Sequence, residues 1–191
     1  MRLTPIESPT SPLLWLAYKL TERGIGTVIT PLKTIYARKP ALLPLLDKVT
    51  RYQSSTLTID SNIKLLIKAY GSLLNGCDFC HDIALAEVIR NKLGEEKFLR
   101  LGQWAQDPQH YSPEEQAVLS FVLDYHQHHA TSDVVYDTLC QHFSETQIID
   151  IVSINAIEQY YNAMNKPFNL IADGLANSAR AQSPDNSRLP A

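Results

Sequence analysis

Two thiols stand three residues apart in the stretch Asn75-Gly76-Cys77-Asp78-Phe79-Cys80-His81-Asp82-Ile83-Ala84, where one helical pattern stops and another starts. Gly76 is a natural stop for the apolar run before it, and Cys77 is expected to open a helical run that lasts to about Asn91. Both sulfurs then belong to a first helical turn. Unpaired backbone N–H groups and the positive end of the helix dipole favour a thiolate there, which lowers the cysteine pKa and makes a better nucleophile. Residues three and four apart on a helix are neighbours, so Cys77, Cys80, His81 and Ala84 are expected on one face. Asp82 and Glu158 are further candidates for proton transfer, although an acidic residue on an amphipathic helix is ordinarily solvated.

The elements that must position these groups read as helices throughout. Pro5, Pro9 and Pro12 mark residues 1–12 as an extended arm, and Leu13 to Leu20 suggest a short amphipathic helix that stops at Gly24-Ile25-Gly26. Pro31 to Arg38 has Pro in a first helical turn and Pro40 closing it, followed by a helix from Ala41 to about Tyr52. Asp60 or Ser61 caps a helix whose Ile63, Leu66, Ile67, Tyr70, Leu73 and Leu74 lead to Gly76. The helix opened by Cys77 is expected to end its last turn at Gly94, and Glu95 to about Gln106 forms a further short helix.

Ser112-Pro113-Glu114-Glu115 and Ser144-Glu145-Thr146-Gln147 both carry the capping-box pattern. The first opens a helix to about His129, and Ser132 caps Asp133 to His142. The second opens a helix to Met164 that is apolar on more than one face, as expected of a central or interface helix. Only Thr27-Val28-Ile29-Thr30 hints at a strand. The fold class is all-α, with a single helical domain over residues 13–176 and a flexible C-terminal tail over 177–191.

Composition narrows the functions open to such a domain. The chain has 191 residues, 45% of them hydrophobic, enough to bury a full core. A net charge of −3 and a pI near 6.0 leave no basic field for nucleic acid or an anionic membrane. No apolar run approaches the ~20 residues that span a bilayer, and residues 1–12 lack a signal pattern, so a cytoplasmic protein is expected. In that reducing compartment three cysteines are not a disulfide framework, and a Cys-x-x-Cys pair is redox-active or metal-binding. Cys140 is expected to fill core space, as are Trp15, Trp104 and the tyrosines to pack in a core or interface.

Several phrases match a known family. Thr30-Pro31-Leu32, Tyr36-Ala37-Arg38-Lys39-Pro40, Asn75-Gly76-Cys77-x-Phe79-Cys80-x-Asp82-Ile83, Ala156 to Asn165 and Asp173-Gly174-Leu175 resemble the carboxymuconolactone decarboxylase and AhpD-like (alkylhydroperoxidase D-like) superfamily, over roughly residues 27–175. The resemblance implies an oligomeric helical bundle, usually a trimer or hexamer, acting as a thiol-dependent peroxidase or disulfide oxidoreductase in antioxidant defence. It implies a hydroperoxide substrate, a dithiol electron donor and no bound cofactor. By match, Cys80 is the peroxidatic cysteine and Cys77 resolves its sulfenic acid. It also suggests that Tyr160-Tyr161 lines the thiol pocket.

The match fails at two positions. Where the family uses a glutamate twelve residues before the first cysteine and a histidine four after the second, this chain has Leu65 and Ala84. His81 lies four residues after Cys77, and that spacing predicts that His81 helps to deprotonate Cys77, reversing the family's assignment of the two thiols.

Other readings of the same residues remain. With the relay replaced, the chain fits an oligomeric binding or interaction module with inert thiols. The decarboxylase branch lacks paired thiols. Cys77-x-x-Cys80-His81 matches the c-type haem attachment pattern, which normally goes with export. A zinc site needs two further ligands, which Cys140 and His142 supply only if the fold brings them close. His126, His128 and His129 sit where a helix C-terminus favours them without any function.

Overall fold

The computed structural model describes residues 1–183 and contains, within them, nine α-helices and no strand. They are α1 (Pro12–Ile25), α2 (Leu43–Ser55), α3 (Ser61–Leu74), α4 (Asp78–Arg90), α5 (Glu95–Leu99), α6 (Pro113–His128), α7 (Asp133–His142), α8 (Glu145–Asn165) and α9 (Leu175–Gln182). Both capping boxes form. The Ser112 and Ser144 hydroxyls accept from the N–H of Glu115 and Gln147, whose side chains reach back to the serine N–H groups. Asp60 caps α3 by accepting from Ile63 N at 2.8 Å.

The pattern departs from expectation where long-range contacts decide local structure. Thr27 to Thr30 forms no strand; it leads into a helical stretch that takes a π-type form over Leu32–Tyr36. There the Thr34 hydroxyl donates to Thr30 O at 2.7 Å, occupying a carbonyl that the regular helical ladder would use. Helix α5 stops at Leu99 and gives way to a 3₁₀ turn at Leu101–Gln103, short of the expected Gln106; Gly102 lies inside that turn, where it weakens a helix. The last turn of α4 ends at Arg90, and Gly94, with φ +78°, precedes α5 instead of closing α4.

The C-terminal reading needs a larger correction. Residues 177–182 are not a flexible tail but part of α9, which buries Leu175, Ala176 and Ala179 and packs along α4. Its N-terminal N–H groups are satisfied from a distance: Leu175 N and Ala176 N donate to Asp82 on α4 at 2.8 and 3.0 Å. The remainder of the expected tail, residues 184–191, lies outside the described residues. The N-terminal arm is pinned by Arg2 N donating to Phe168 O and Ile6 N to Lys33 O.

Two apolar clusters result. The larger joins α3, α6 and α8 through Leu65, Leu66, Phe121, Val122, Ile151 and Ile154. The smaller surrounds the thiols with Leu14, Tyr36, Phe79, Leu170 and Leu175. Among the described residues no helix is long and apolar enough to cross a membrane.

Candidate active site

The thiols are placed by the junction between α3 and α4. Gly76 takes φ +60°, and its N–H donates to Leu73 O while Cys77 N donates to Ser72 O, at 3.0 and 2.9 Å. This is a Schellman stop, and it needs a residue that accepts a left-handed conformation. It turns the chain straight into α4, with Cys77 at the N-cap and Cys80 in the first turn. Cys77 and Cys80 form a disulfide with Cα atoms 5.3 Å apart, and both are buried.

Cys80 lies on the wall of a cavity of about 460 Å³. Phe79, Ile83, Ile29 and Leu46 make part of that wall apolar. Asn165, near the end of α8, donates its amide to Cys80 Sγ at 3.3 Å, a contact that would support negative charge on the reduced sulfur. Glu158, two turns earlier on α8, and Glu87, two turns later on α4, line the same cavity. Lys68 of α3 joins them, its Nζ 2.9 Å from both Glu87 oxygens. The cavity therefore has a sulfur end, Cys80 with Asn165, and a charged end, Glu87, Lys68 and Glu158.

Glu158 is only 3% exposed, and Asn162 donates to its Oε1 at 2.6 Å. Burial pushes its pKa up to about 7, against the opposing pull of the Lys68 charge and the Asn162 hydrogen bond. Lys68 is equally enclosed. Burial works to discharge it, but the Glu87 and Glu158 carboxylates outweigh burial and its pKa is raised. Tyr161, also on the wall, has its hydroxyl pKa raised by burial.

The structure separates the residues that the sequence brought forward. Cys80 and Glu158 share the cavity; Cys77, His81 and Asp82 are not on that wall. His81 Nδ1 is 3.1 Å from Ala69 O, which can only accept, so Nδ1 carries the proton and Nε2 is the basic nitrogen. The Asp82 carboxylate is engaged by the α9 N–H groups. Tyr161 lines the cavity, whereas Tyr160 packs on Tyr161 with ring centroids 5.6 Å apart. Leu65 and Ala84, at the family's relay positions, are fully buried.

Cys140 is exposed on α7, not part of the core. With His142 it joins no group of three or more potential metal ligands among the described residues. Trp104 is buried edge-on against Tyr70, whereas Trp15 is exposed. His126 meets Asn75 Oδ1 at 3.2 Å, and His129 ends α6 in a left-handed conformation. Lys68 and Glu87 were missed in the sequence. The signal was there for Lys68: a lysine set among Leu65, Leu66, Ile67, Ala69 and Tyr70 has no solvent face to occupy.

No family model matches the chain. The uncharacterized protein YdfG of Bacillus subtilis is 29% identical over 116 residues, 57% of this chain and 72% of that protein. Among solved structures, a protein of unknown function from Agrobacterium tumefaciens, a candidate antioxidant defence protein AhpD, matches with a TM-score of 0.67 at 24% identity. It covers 72% of this chain and 94% of its own. An uncharacterized peroxidase-related protein from Silicibacter sp. TM1040 matches with a TM-score of 0.80 at 15% identity, over 92% of this chain and 93% of its own. The debrominase Bmp8, in complex with 2,3,4-tribromopyrrole, matches with a TM-score of 0.79 at 19% identity, over 94% and 95%. The all-helical architecture is the one these proteins adopt. What this chain shares with these solved structures is their fold.

Proposed function

We propose that the protein is a thiol-dependent peroxidase or disulfide oxidoreductase. The observation that carries this reading is the Cys77–Cys80 pair, joined as a disulfide with Cys80 on the wall of a cavity. In the proposed cycle the Cys80 thiolate attacks the terminal oxygen of a hydroperoxide. An S–O bond forms, the O–O bond breaks, and the departing alkoxide takes a proton. Cys77 then attacks the sulfenic acid, releasing water and leaving the disulfide, which a partner dithiol reduces. The peroxide oxygen gains two electrons and the thiol pair loses two. No cofactor enters these steps.

Glu158 is the group proposed to carry the proton, taking it from Cys80 and returning it to the alkoxide across the cavity. Its carboxyl is half-protonated near neutrality, the condition for an acid–base group that must do both. The place of Cys80 on the wall supports Cys80 as the attacking thiol. The His81 reading favours Cys77 instead. Alkylation of each cysteine across pH separates the two: Cys80 reacting at the lower pH sinks the His81 reading, and Cys77 doing so reverses the cycle.

The test of the function is mass-spectrometric mapping of the alkylated cysteines in reduced protein, before and after one equivalent of an organic hydroperoxide. Rapid conversion of Cys77 and Cys80 to a disulfide, reversed by dithiol, is expected. If both stay unreactive, the peroxidase reading fails in favour of a binding module. Leu13, Trp15, Leu16 and Leu20 of α1 are exposed, which supports a homo-oligomer, a trimer or hexamer, readable by light scattering.

The likeness to Bmp8 favours a second reading of the same wall. A thiol pair can also reduce a brominated aromatic, giving the debrominated ring, hydrogen bromide and the disulfide. Bromide release from a bromopyrrole tests it, and absence of release with peroxide turnover intact removes it.

A further inference from the structure

The charged end of the cavity sets a buried ammonium, Lys68, and a buried carboxyl, Glu158, beside the part-exposed carboxylate of Glu87. A buried charge is costly unless it is paired, and removing one partner leaves the other stranded. Lys68 is tied to Glu87 by two 2.9 Å contacts, and Glu158 is tied to Asn162. Glu158 makes no hydrogen bond to either charged neighbour, so it feels Lys68 and Glu87 through space.

We propose that Lys68 and Glu87 are positioning residues that set when the Glu158 carboxyl holds its proton, and through it the pH range in which Cys80 reacts. This rests on the thiol reading above. It replaces the glutamate and histidine that the resemblance leads one to expect at Leu65 and Ala84 with groups from other positions on the same two helices, α3 and α4.

The surroundings of Glu158 limit what else can do this. From α3 come Lys68 and, one turn earlier on the cavity wall, Lys64; Gly71 lets the α3 backbone approach so closely that an added Cβ would lie 3.4 Å from Glu158 Cγ. From α4 come Glu87 and Cys80. Helix α2 presents Thr50 and Gln53, both uncharged, and α8 itself adds Tyr161 and Asn162. Of the charged groups, Lys68 lowers the Glu158 pKa and Glu87 raises it. The two neighbours therefore pull in opposite directions, so that replacing each alone moves the Glu158 titration oppositely.

The geometry also says what Glu158 does not do. Glu158 and Asn165 are seven residues apart on α8, roughly 10 Å along the axis, so Glu158 does not touch Cys80 Sγ as a fixed hydrogen-bond partner. Its proton reaches the sulfur end through water or substrate oxygen in the cavity. Asn162 can serve either state, since its amide now donates to Glu158 and its Oδ1 has no partner.

The experiment is the rate of disulfide formation with cumene hydroperoxide, read by alkylation mapping from about pH 5 to about pH 9, a range that brackets a carboxyl titrating near neutrality. The wild-type profile is expected to contain an inflection near 7 that Glu158→Gln removes. Lys68→Met should move that inflection up by about one pH unit and Glu87→Gln should move it down by less, since Lys68 is the stronger influence and Glu87 is part-exposed. The double variant should bring it part of the way back, and Lys68→Arg should leave it in place. If Lys68→Met does not fold, the downward shift in Glu87→Gln decides. Reactive thiols with one inflection common to all variants, or both single variants moving it the same way, overturn this inference alone. Thiols that ignore hydroperoxide overturn the thiol reading, and this inference with it.

Discussion

Helices α3 and α8 face two interiors, and the two are built on opposite principles. To the larger apolar cluster they contribute Leu65, Leu66, Ile151 and Ile154, all fully buried with no polar group to satisfy. Toward the cavity the same helices present Lys68 and Glu158, nearly as well hidden but charged or poised to be. The first surface stabilises the fold through apolar burial. The second costs stability and is tolerable because each charge has a partner and because the first surface is large. The charged wall of the cavity is thus carried on the backs of helices anchored elsewhere.

The comparison breaks most visibly from the core side. Phe121→Ala, in a side chain 2% exposed, should cost about 3–5 kcal/mol in chemical denaturation. Disulfide formation at temperatures below the transition should be unchanged. A loss of thiol reactivity in the folded variant would mean that the two interiors are not separable.

Glu158→Gln tests the other interior with the opposite sign. Its folded pKa, about 7, lies above the ordinary 4.5, so the protonated form is favoured in the folded state. Its contribution to stability is complete below about pH 4.5 and is lost as pH rises through about 7. The glutamine variant should match wild type in acid and be more stable above pH 7 by at most about 3 kcal/mol. A variant less stable at alkaline pH would show that the Glu158 charge supports the fold instead of straining it.

The smallest effect sharpens how the site is positioned. Gly76→Ala forces a side chain into φ +60° with nothing else in contact, so only backbone strain is added, about 1–2 kcal/mol. Equilibrium unfolding gives the size, and a larger loss would mean that the turn is coupled to the thiol wall.

Local signals account for what the sequence made legible. Capping boxes at Ser112 and Ser144 and the Gly76 stop are written within four residues, and the helices they bound appear where expected. The place of Cys80 in the first turn of a helix was legible for the same reason. What was not legible depends on distant partners. Helix α9 relies on Asp82, 93 residues away, for its N-terminal acceptor, so a short alanine-rich segment read as a tail. The link between Lys68, Glu87 and Glu158 spans three helices, so the sequence offers Glu158 as a candidate for proton transfer but not the two charges beside it. The exposure of Cys140 follows from the side of α7 that meets α6 and α8, which no spacing rule names.

The Asp82–α9 contact has a consequence for the order in which the molecule is made. Chains emerge from the ribosome N-terminus first, and Cys77 and Cys80 are synthesised long before Asn165 and Leu175. Until those residues arrive, the sulfur pair lacks both its amide donor and the helix that packs behind α4. A nascent chain therefore carries its two thiols without their cover, open to any oxidant or mixed disulfide nearby. Helix α9, translated well after α4, is the one that closes the helix of the paired thiols against premature chemistry.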